Sequence, residues 1–77
     1  MPSLKCTFAQ FIEIIERHGF VRHGDLTATS HRRYRGIVNG VVCDVTVACH
    51  RLGDHIKHGT LSSMIRQSSL PKSLFRR

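Results

Sequence analysis

The spacing of apolar residues near the start of the chain predicts an amphipathic helix over residues 7–18. Apolar side chains recur at i, i+3, i+4 and i+7 and therefore form one stripe: Phe8, Phe11, Ile12 and Ile15. Thr7 and Gln10 have the spacing of a capping box at the start of this helix. Gly19 follows its last turn, where a left-handed stop is common.

A β-hairpin is predicted in the middle of the chain. Asn39-Gly40 stands between β-branched residues, and this dipeptide favours a type I′ turn because both central positions need positive φ. The turn fixes the register, with an ion pair expected between Arg35 and Asp44. The other expected neighbours are Val38 and Val41, Tyr34 and Val45, Arg33 and Thr46, and His31 near Ala48.

Alternation along the two strands sorts their residues onto two faces. One face is predicted to be core and carries apolar residues: Tyr34, Val38, Val41, Cys43, Val45 and Val47. The opposite face is polar, with two apolar positions near the turn: His31, Arg33, Arg35, Asp44 and Thr46, then Ile37 and Val42.

The remaining pattern predicts a single α+β domain. Residues 20–22 favour a short strand before a loop, and Thr60 is a candidate cap for a second helix that Pro71 prevents from continuing. Residues expected to face inward from that helix are Leu61, Met64 and Ile65. The order is helix, three antiparallel strands, helix, with both helices on one sheet face. Residues 71–77 form a basic C-terminal tail whose apolar residues, Leu74 and Phe75, either pack or dock a partner.

Charge narrows the classes of partner. Twelve Lys and Arg against five Asp and Glu in 77 residues give a net charge of +7 and a pI near 10.4. Such a chain attracts nucleic acid, an anionic membrane or an acidic protein. A membrane is the weakest of these, because no apolar run approaches the roughly 20 residues that span a bilayer. We also find no signal-peptide pattern, so a cytoplasmic protein is expected.

Cysteine and histidine spacing predicts no metal site. The three cysteines contain no CxxC pair and are interpreted as free thiols: Cys6, Cys43 and Cys49. Three histidines fall in one loop, but their spacing matches no standard zinc pattern: His50, His55 and His58. His18 ends the first helix, where a cation suits the helix dipole.

Several stretches resemble the HicA (YcfA-like) family of small RNA-cleaving toxins, which act with HicB antitoxins. They are "IIERHGFVRH", "SHRRYRG", "VVCDVTVA" and "GTLSSMIRQSSLP" followed by "LFR", and together they cover roughly residues 8–76. "GTLSSMIRQ" is the most specific of them. The chain departs from the family pattern at Thr29, where the motif has glycine, and at Ser69, where glycine is expected after the second helix.

The resemblance implies a double-stranded-RNA-binding-domain-like αβββα fold over residues 1–77. It also implies that the chain is an mRNA-cleaving endonuclease with one essential histidine in a Gly-Ser-His motif. The residue that matches this position is His31. A HicB-type antitoxin is the implied protein partner and inhibitor.

Histidine and arginine suit RNA cleavage without a metal ion or cofactor. A base takes the proton of the 2′-OH, and an acid protonates the departing 5′ oxygen. His31 is therefore expected to act as general base or acid. Arg33 and Arg32 are candidates for phosphate contacts, because guanidinium groups match phosphate oxygens. Arg35 is a further candidate, unless Asp44 occupies it.

Other positions keep two interpretations each. Ser30 either positions the histidine or the phosphate, or only shapes the start of the strand. His23 lies beside the loop before His31 and is a candidate second acid. Lys57 and His58 precede the second helix, whose exposed N–H groups either dock a phosphate or belong to a plain loop.

Two other functions compete with the endoribonuclease. A non-catalytic or inactivated RNA-binding module of the same fold would read duplex RNA by shape and phosphate contacts. It would need no histidine. A DNA-binding regulator is less favoured, because the second helix offers only Arg66 and Gln67 for base contacts.

Overall fold

The computed structural model describes residues 5–24, 31–48 and 51–75. Its elements are α1 (Phe8–Arg17), β1 (Val21–His23), β2 (His31–Val38), β3 (Val41–Ala48), α2 (His58–Ser68) and a short 3₁₀ helix (Lys72–Phe75). The strands form one antiparallel sheet in the order β1-β2-β3. This confirms the predicted α+β, αβββα arrangement. In the described ranges no helix is both long and apolar enough to cross a membrane.

α1 begins and ends where local sequence signals predict. The amide of Gln10 donates to Oγ1 of Thr7 at 3.1 Å, and the amide of Thr7 donates to Oε1 of Gln10 at 2.9 Å. This reciprocal capping box satisfies two amides that have no partner inside the helix. His18 is the C-cap, and Gly19 follows with φ of +90°. The buried stripe is Phe11, Ile12 and Ile15.

The hairpin has the predicted turn and register. Asn39 and Gly40 adopt φ of 53° and 79°, the two positive values that a type I′ turn needs. The pairing then runs from Val38 opposite Val41 to His31 opposite Ala48. Because the register is intact over eight residues of each strand, every side chain of β2 and β3 has a determined face.

The helices cover one face of the sheet, here called the inner face. Its buried strand residues join both helices in one core: Tyr34, Cys43, Val45 and Val47. Val41 was predicted to belong to this core, and that prediction is wrong because its side chain is 60% exposed. The Ser69 hydroxyl, just past α2, reaches Cys43 Sγ at 3.3 Å. Val41 lies one inner-facing position beyond Cys43, past the end of the helix layer.

α2 begins at His58, before Thr60, the residue that the sequence predicts as its cap. Its N-cap is Lys57, which makes no side-chain capping bond, and Leu61 N–H donates to the Lys57 carbonyl at 2.8 Å. The prediction that Thr60 caps this helix is wrong, since Thr60 lies inside its first turn. α2 ends at Ser68, and Ser69 then adopts φ of 60°. That left-handed conformation costs a residue with a side chain roughly 1–2 kcal/mol.

Two contacts close the fold around this core. The rings of Phe11 and Phe75 stack with centroids 5.1 Å apart, so Phe75 packs into the core. Thr46 N–H, on the edge strand β3, donates to Oε1 of Gln67 at 3.2 Å. This bond ties α2 to an edge whose backbone groups would otherwise stay open.

Gly36 is the position on β2 where the core approaches the backbone most closely. A Cβ at this residue would lie 2.7 Å from two carbons of the Phe20 ring. Phe20 is only 2% exposed, so the ring has little room to move. Glycine at position 36 therefore lets Phe20 lie against the inner face of the sheet.

Gly36→Ala is expected to lower the free energy of unfolding by about 1–3 kcal/mol, because the added methyl overpacks the Phe20 contact. Urea denaturation measures the change. Gly59→Ala is the matched control, since Gly59 lies in the first turn of α2 with nothing within 4 Å of its added Cβ. That control should be neutral or stabilising by up to about 1 kcal/mol. Equal stability of the two variants would contradict the proposed close contact.

Candidate functional site

The sheet surface opposite the helices, here called the outer face, carries the polar residues of all three strands. β2 contributes exposed His31, Arg33 and Arg35 at every second position. β1 contributes His23, which is paired with Arg33, and β3 contributes the polar residues Asp44 and Thr46. These polar positions are half-buried or exposed, so the outer face is open to a large ligand.

The β1–β2 register brings a second imidazole to the outer face. His23 pairs with Arg33, which is two positions from His31 on β2. Diagonal neighbours of this kind are typically about 7–8 Å apart. The pKa of Asp44 is lowered mainly by a hydrogen bond from Arg35 and further by the charges of His23 and Arg33, which places these groups in one electrostatic environment. From the sequence, His23 is predicted only as a candidate second acid, because no turn motif specifies how β1 pairs with β2.

Arg35 is paired on the outer face, as predicted. Its Nε donates to Asp44 Oδ1 at 2.8 Å and its Nη2 donates to Oδ2 at 3.4 Å. The hydrogen bond from Arg35 lowers the pKa of Asp44, and the same bond raises the pKa of Arg35. Both side chains are nearly half exposed. Arg35 is therefore partly committed to Asp44, whereas Arg33 has no hydrogen bond or ion pair within the described ranges.

Arg32 lies on the other side of the sheet from His31. It pairs with Val47 and shares the inner face with Tyr34, because successive strand residues alternate. Its side chain is half-buried, and its Nε is shielded from solvent without a hydrogen-bond partner in the described part of the chain. The structure thus brings Arg33 together with His31 and separates Arg32 from them.

The remaining predicted site residues lie elsewhere. Ser30 falls outside the described residues. Lys57 is the N-cap of α2 and His58 is its first residue, and both are exposed. The first amides of α2 have no side-chain cap, so this helix start can accept an anion. α2 packs on the inner face, so this second basic group is separate from the outer-face cluster.

The described residues contain no group of three or more His, Cys, Asp or Glu that could hold a metal ion. His50 and Cys49 fall outside them. Cys6 and Cys43 are free thiols, and both are buried. The charged and ionisable side chains that the described outer face carries are imidazoles, guanidinium groups and the paired carboxylate of Asp44.

Comparison with known protein families, curated sequences and solved structures finds no match for this chain. The resemblance to HicA toxins accordingly rests on the residues and motifs of the chain itself.

The Arg35–Asp44 contact makes a testable pKa prediction. Replacing Arg35 by Gln is expected to raise the pKa of Asp44 toward its ordinary value of 3.8, because the hydrogen bond from Arg35 is the main cause of the lowering. Arg33→Gln, the matched control, should raise it less, since Arg33 acts only through its charge. NMR titration of the Asp44 carboxyl measures both, and an unchanged pKa in Arg35→Gln would contradict the contact.

The same contact predicts a pH dependence of stability. Because the pKa of Asp44 is lower in the folded chain than 3.8, its contribution to stability is complete above that value. It is lost as the pH falls through the folded pKa. The difference in urea midpoint between the parent and Asp44→Asn should therefore persist at neutral pH and close below pH 3.8. A difference that stays constant through this range would count against the ion pair.

Proposed function

We propose that this chain is a metal-independent endoribonuclease that cleaves mRNA, with His31 as its catalytic histidine. One observation carries the proposal: the strand register sets His31, His23 and Arg33 on one exposed sheet face. The side-chain types that metal-free RNA cleavage needs are an acid, a base and a cation for the phosphate. All three are present there.

The cleavage step needs two proton transfers. A base removes the proton of a ribose 2′-OH, and the oxygen attacks the adjacent phosphorus. The bond from phosphorus to the 5′ oxygen breaks as an acid gives that oxygen a proton. The products are a 2′,3′-cyclic phosphate and a 5′-hydroxyl. His31 takes one of these roles, and an imidazole is suited to either near neutral pH.

His23 is the candidate for the second proton transfer. Among the described residues of the outer face, His23 and His31 are the two that carry an imidazole, the side chain most often used for general acid–base catalysis. Asp44 is a poor acid, because its lowered pKa keeps it ionised. Arg33 is the residue proposed to stabilise charge on the phosphorane, since Arg35 is held by Asp44.

The charge of the chain agrees with a polyanionic substrate. A net charge of +7 draws RNA to the protein largely through backbone phosphates, so binding should weaken as salt increases. Lys57 and His58 at the start of α2 supply a second basic contact for the substrate. Ser30 and Arg32 remain candidates for phosphate contacts, and a contact by Arg32 would lie away from His31 because Arg32 is on the inner face.

The proposed biological role is that of a HicA-type toxin in a toxin–antitoxin pair acting in the cytoplasm. An acidic, HicB-type antitoxin would inhibit it by covering the outer face. The second candidate is a non-catalytic RNA-binding module of the same fold. The exposed basic face favours that candidate equally, so the two differ only in whether RNA is cut.

His31→Ala is expected to abolish cleavage of a long RNA by the purified chain in excess EDTA, because the reaction loses its base or acid. Loss of a general acid or base costs roughly 10²–10⁴-fold in rate. Gel analysis and mapping of the product ends should give 2′,3′-cyclic phosphate and 5′-hydroxyl ends for the parent. His18→Ala is the matched control, since His18 is exposed at the far end of α1 and should leave cleavage intact.

Two results would contradict the proposal. If the parent and His31→Ala bind RNA equally and neither cuts it, the chain is a binding module. If both cut RNA at the same rate in EDTA, the catalytic residue is not His31.

A further inference from the structure

A cavity of about 260 Å³ lies at the C-terminal end of α2, beside the start of the 3₁₀ helix. Its polar residues are two cations and two serines, and its apolar residues are buried or half-buried: Ser62, Arg66, Ser69 and Lys72, with Ile65 and Leu70. Among the residues that the structure describes, no acidic side chain lines it. The cavity is distinct from the outer face and from the start of α2.

Arg66 lies in the last turn of α2, where a cation suits the helix dipole, and serine and backbone groups supply further hydrogen bonds at this helix end. Ser68 Oγ donates to the Ile65 carbonyl at 2.6 Å, and Ser69 N–H donates to the Arg66 carbonyl at 3.2 Å. Within the described ranges the side chains of Arg66 and Lys72 have no hydrogen bond or ion pair. Two like charges at one cavity repel each other, and a bound anion would remove that repulsion.

Ser69 is the second indication of a ligand. It has a left-handed backbone, with φ of 60° and ψ of 12°, at a helix end where glycine is usual. A side chain kept in an unfavourable backbone conformation points to a function for that side chain. Ser69 lines the cavity, and its hydroxyl lies 3.3 Å from Cys43 Sγ.

We propose that this cavity binds a phosphodiester group of RNA. Guanidinium, ammonium and hydroxyl donors together match phosphate oxygens. At about 260 Å³ the cavity is smaller than the roughly 300–1,000 Å³ of drug-sized ligand sites, which favours a single phosphate with its ribose. The choice of RNA over free phosphate rests on the proposed endoribonuclease function.

The position of the cavity makes it a remote contact for the substrate. Ser69 touches Cys43, which pairs with Gly36, five residues along β2 from His31. That separation is about 17 Å along the strand. An RNA strand cut at the outer face would cross the edge of β3 to reach the cavity. The site would hold RNA several nucleotides from the scissile phosphate.

The test measures RNA binding without cleavage. Every variant therefore also carries His31→Ala, so that the RNA stays intact. The probe is a fluorescein-labelled single-stranded RNA of mixed sequence, measured by anisotropy over a range of salt. Arg66→Gln with Lys72→Gln should weaken binding about tenfold and reduce the salt slope by about 0.7, the loss of one phosphate contact. Lys5→Gln with Arg17→Gln removes the same charge outside the cavity and should leave the slope unchanged.

Ser69→Gly separates binding from folding. It removes the cavity hydroxyl and relieves the left-handed backbone, so it should weaken RNA binding about threefold while leaving the melting temperature equal or higher. Tight RNA binding by this variant, with no change from the parent, would argue against a hydroxyl contact to phosphate.

Other outcomes overturn the inference. Equal losses in the two double variants would mean non-specific attraction. Inorganic phosphate that shifts the NMR signals of Arg66 and Ser69, with RNA affinity unchanged in Arg66→Gln/Lys72→Gln, would mean a free-phosphate site. The proposed function fails separately: a chain with His31 intact that never cuts RNA, yet binds it through this cavity, leaves the cavity inference standing.

Discussion

The turn at Asn39 and Gly40 is the constraint on which most of this structure depends. Its two positive φ values lock the hairpin register, and the register decides which side chains meet the helices. A slip of one residue would exchange the faces of a strand, exposing Tyr34 and pressing Arg33 into the core. Burying an unpaired guanidinium is costly, so the core and the basic surface enforce the same register. The outer face is therefore as well determined as the core behind it.

The inner face shows how a small sheet accommodates close packing and charge together. Gly36 has no side chain, so the aromatic ring of Phe20 lies directly against the strand. Arg22 and Arg32 are exceptions on this side, because half-buried guanidinium groups lie where the pattern would place apolar residues. A long arginine stem can pack against apolar surface while its end reaches toward water. This explains how β2 carries three arginines within four residues without placing every one of them beside His31.

Capping and turn motifs predicted the elements that they form. Features that depend on tertiary contacts could not be predicted from the sequence. The capping box of Thr7 and the turn at Asn39 act within a few residues, so α1 and the hairpin could be predicted. The exposure of Val41 depends on where the helix layer ends, and the pairing of His23 with Arg33 depends on a register that no turn motif specifies. The cavity beside Ser69 likewise depends on how the chain brings Lys72 back beside the end of α2. Ser30 and its loop remain at the level of sequence prediction.

We propose that RNA lies on the outer face with His31 at its reacting phosphate. The most direct measurement is NMR of the histidine imidazoles in the unmodified chain during titration with 2′-O-methyl RNA. This RNA lacks the attacking hydroxyl and cannot be cut by the proposed route. We expect the resonances of His31 and His23 to shift as the RNA saturates the protein, while those of His18 stay unchanged. Saturation by RNA with the His31 resonances unmoved would contradict it.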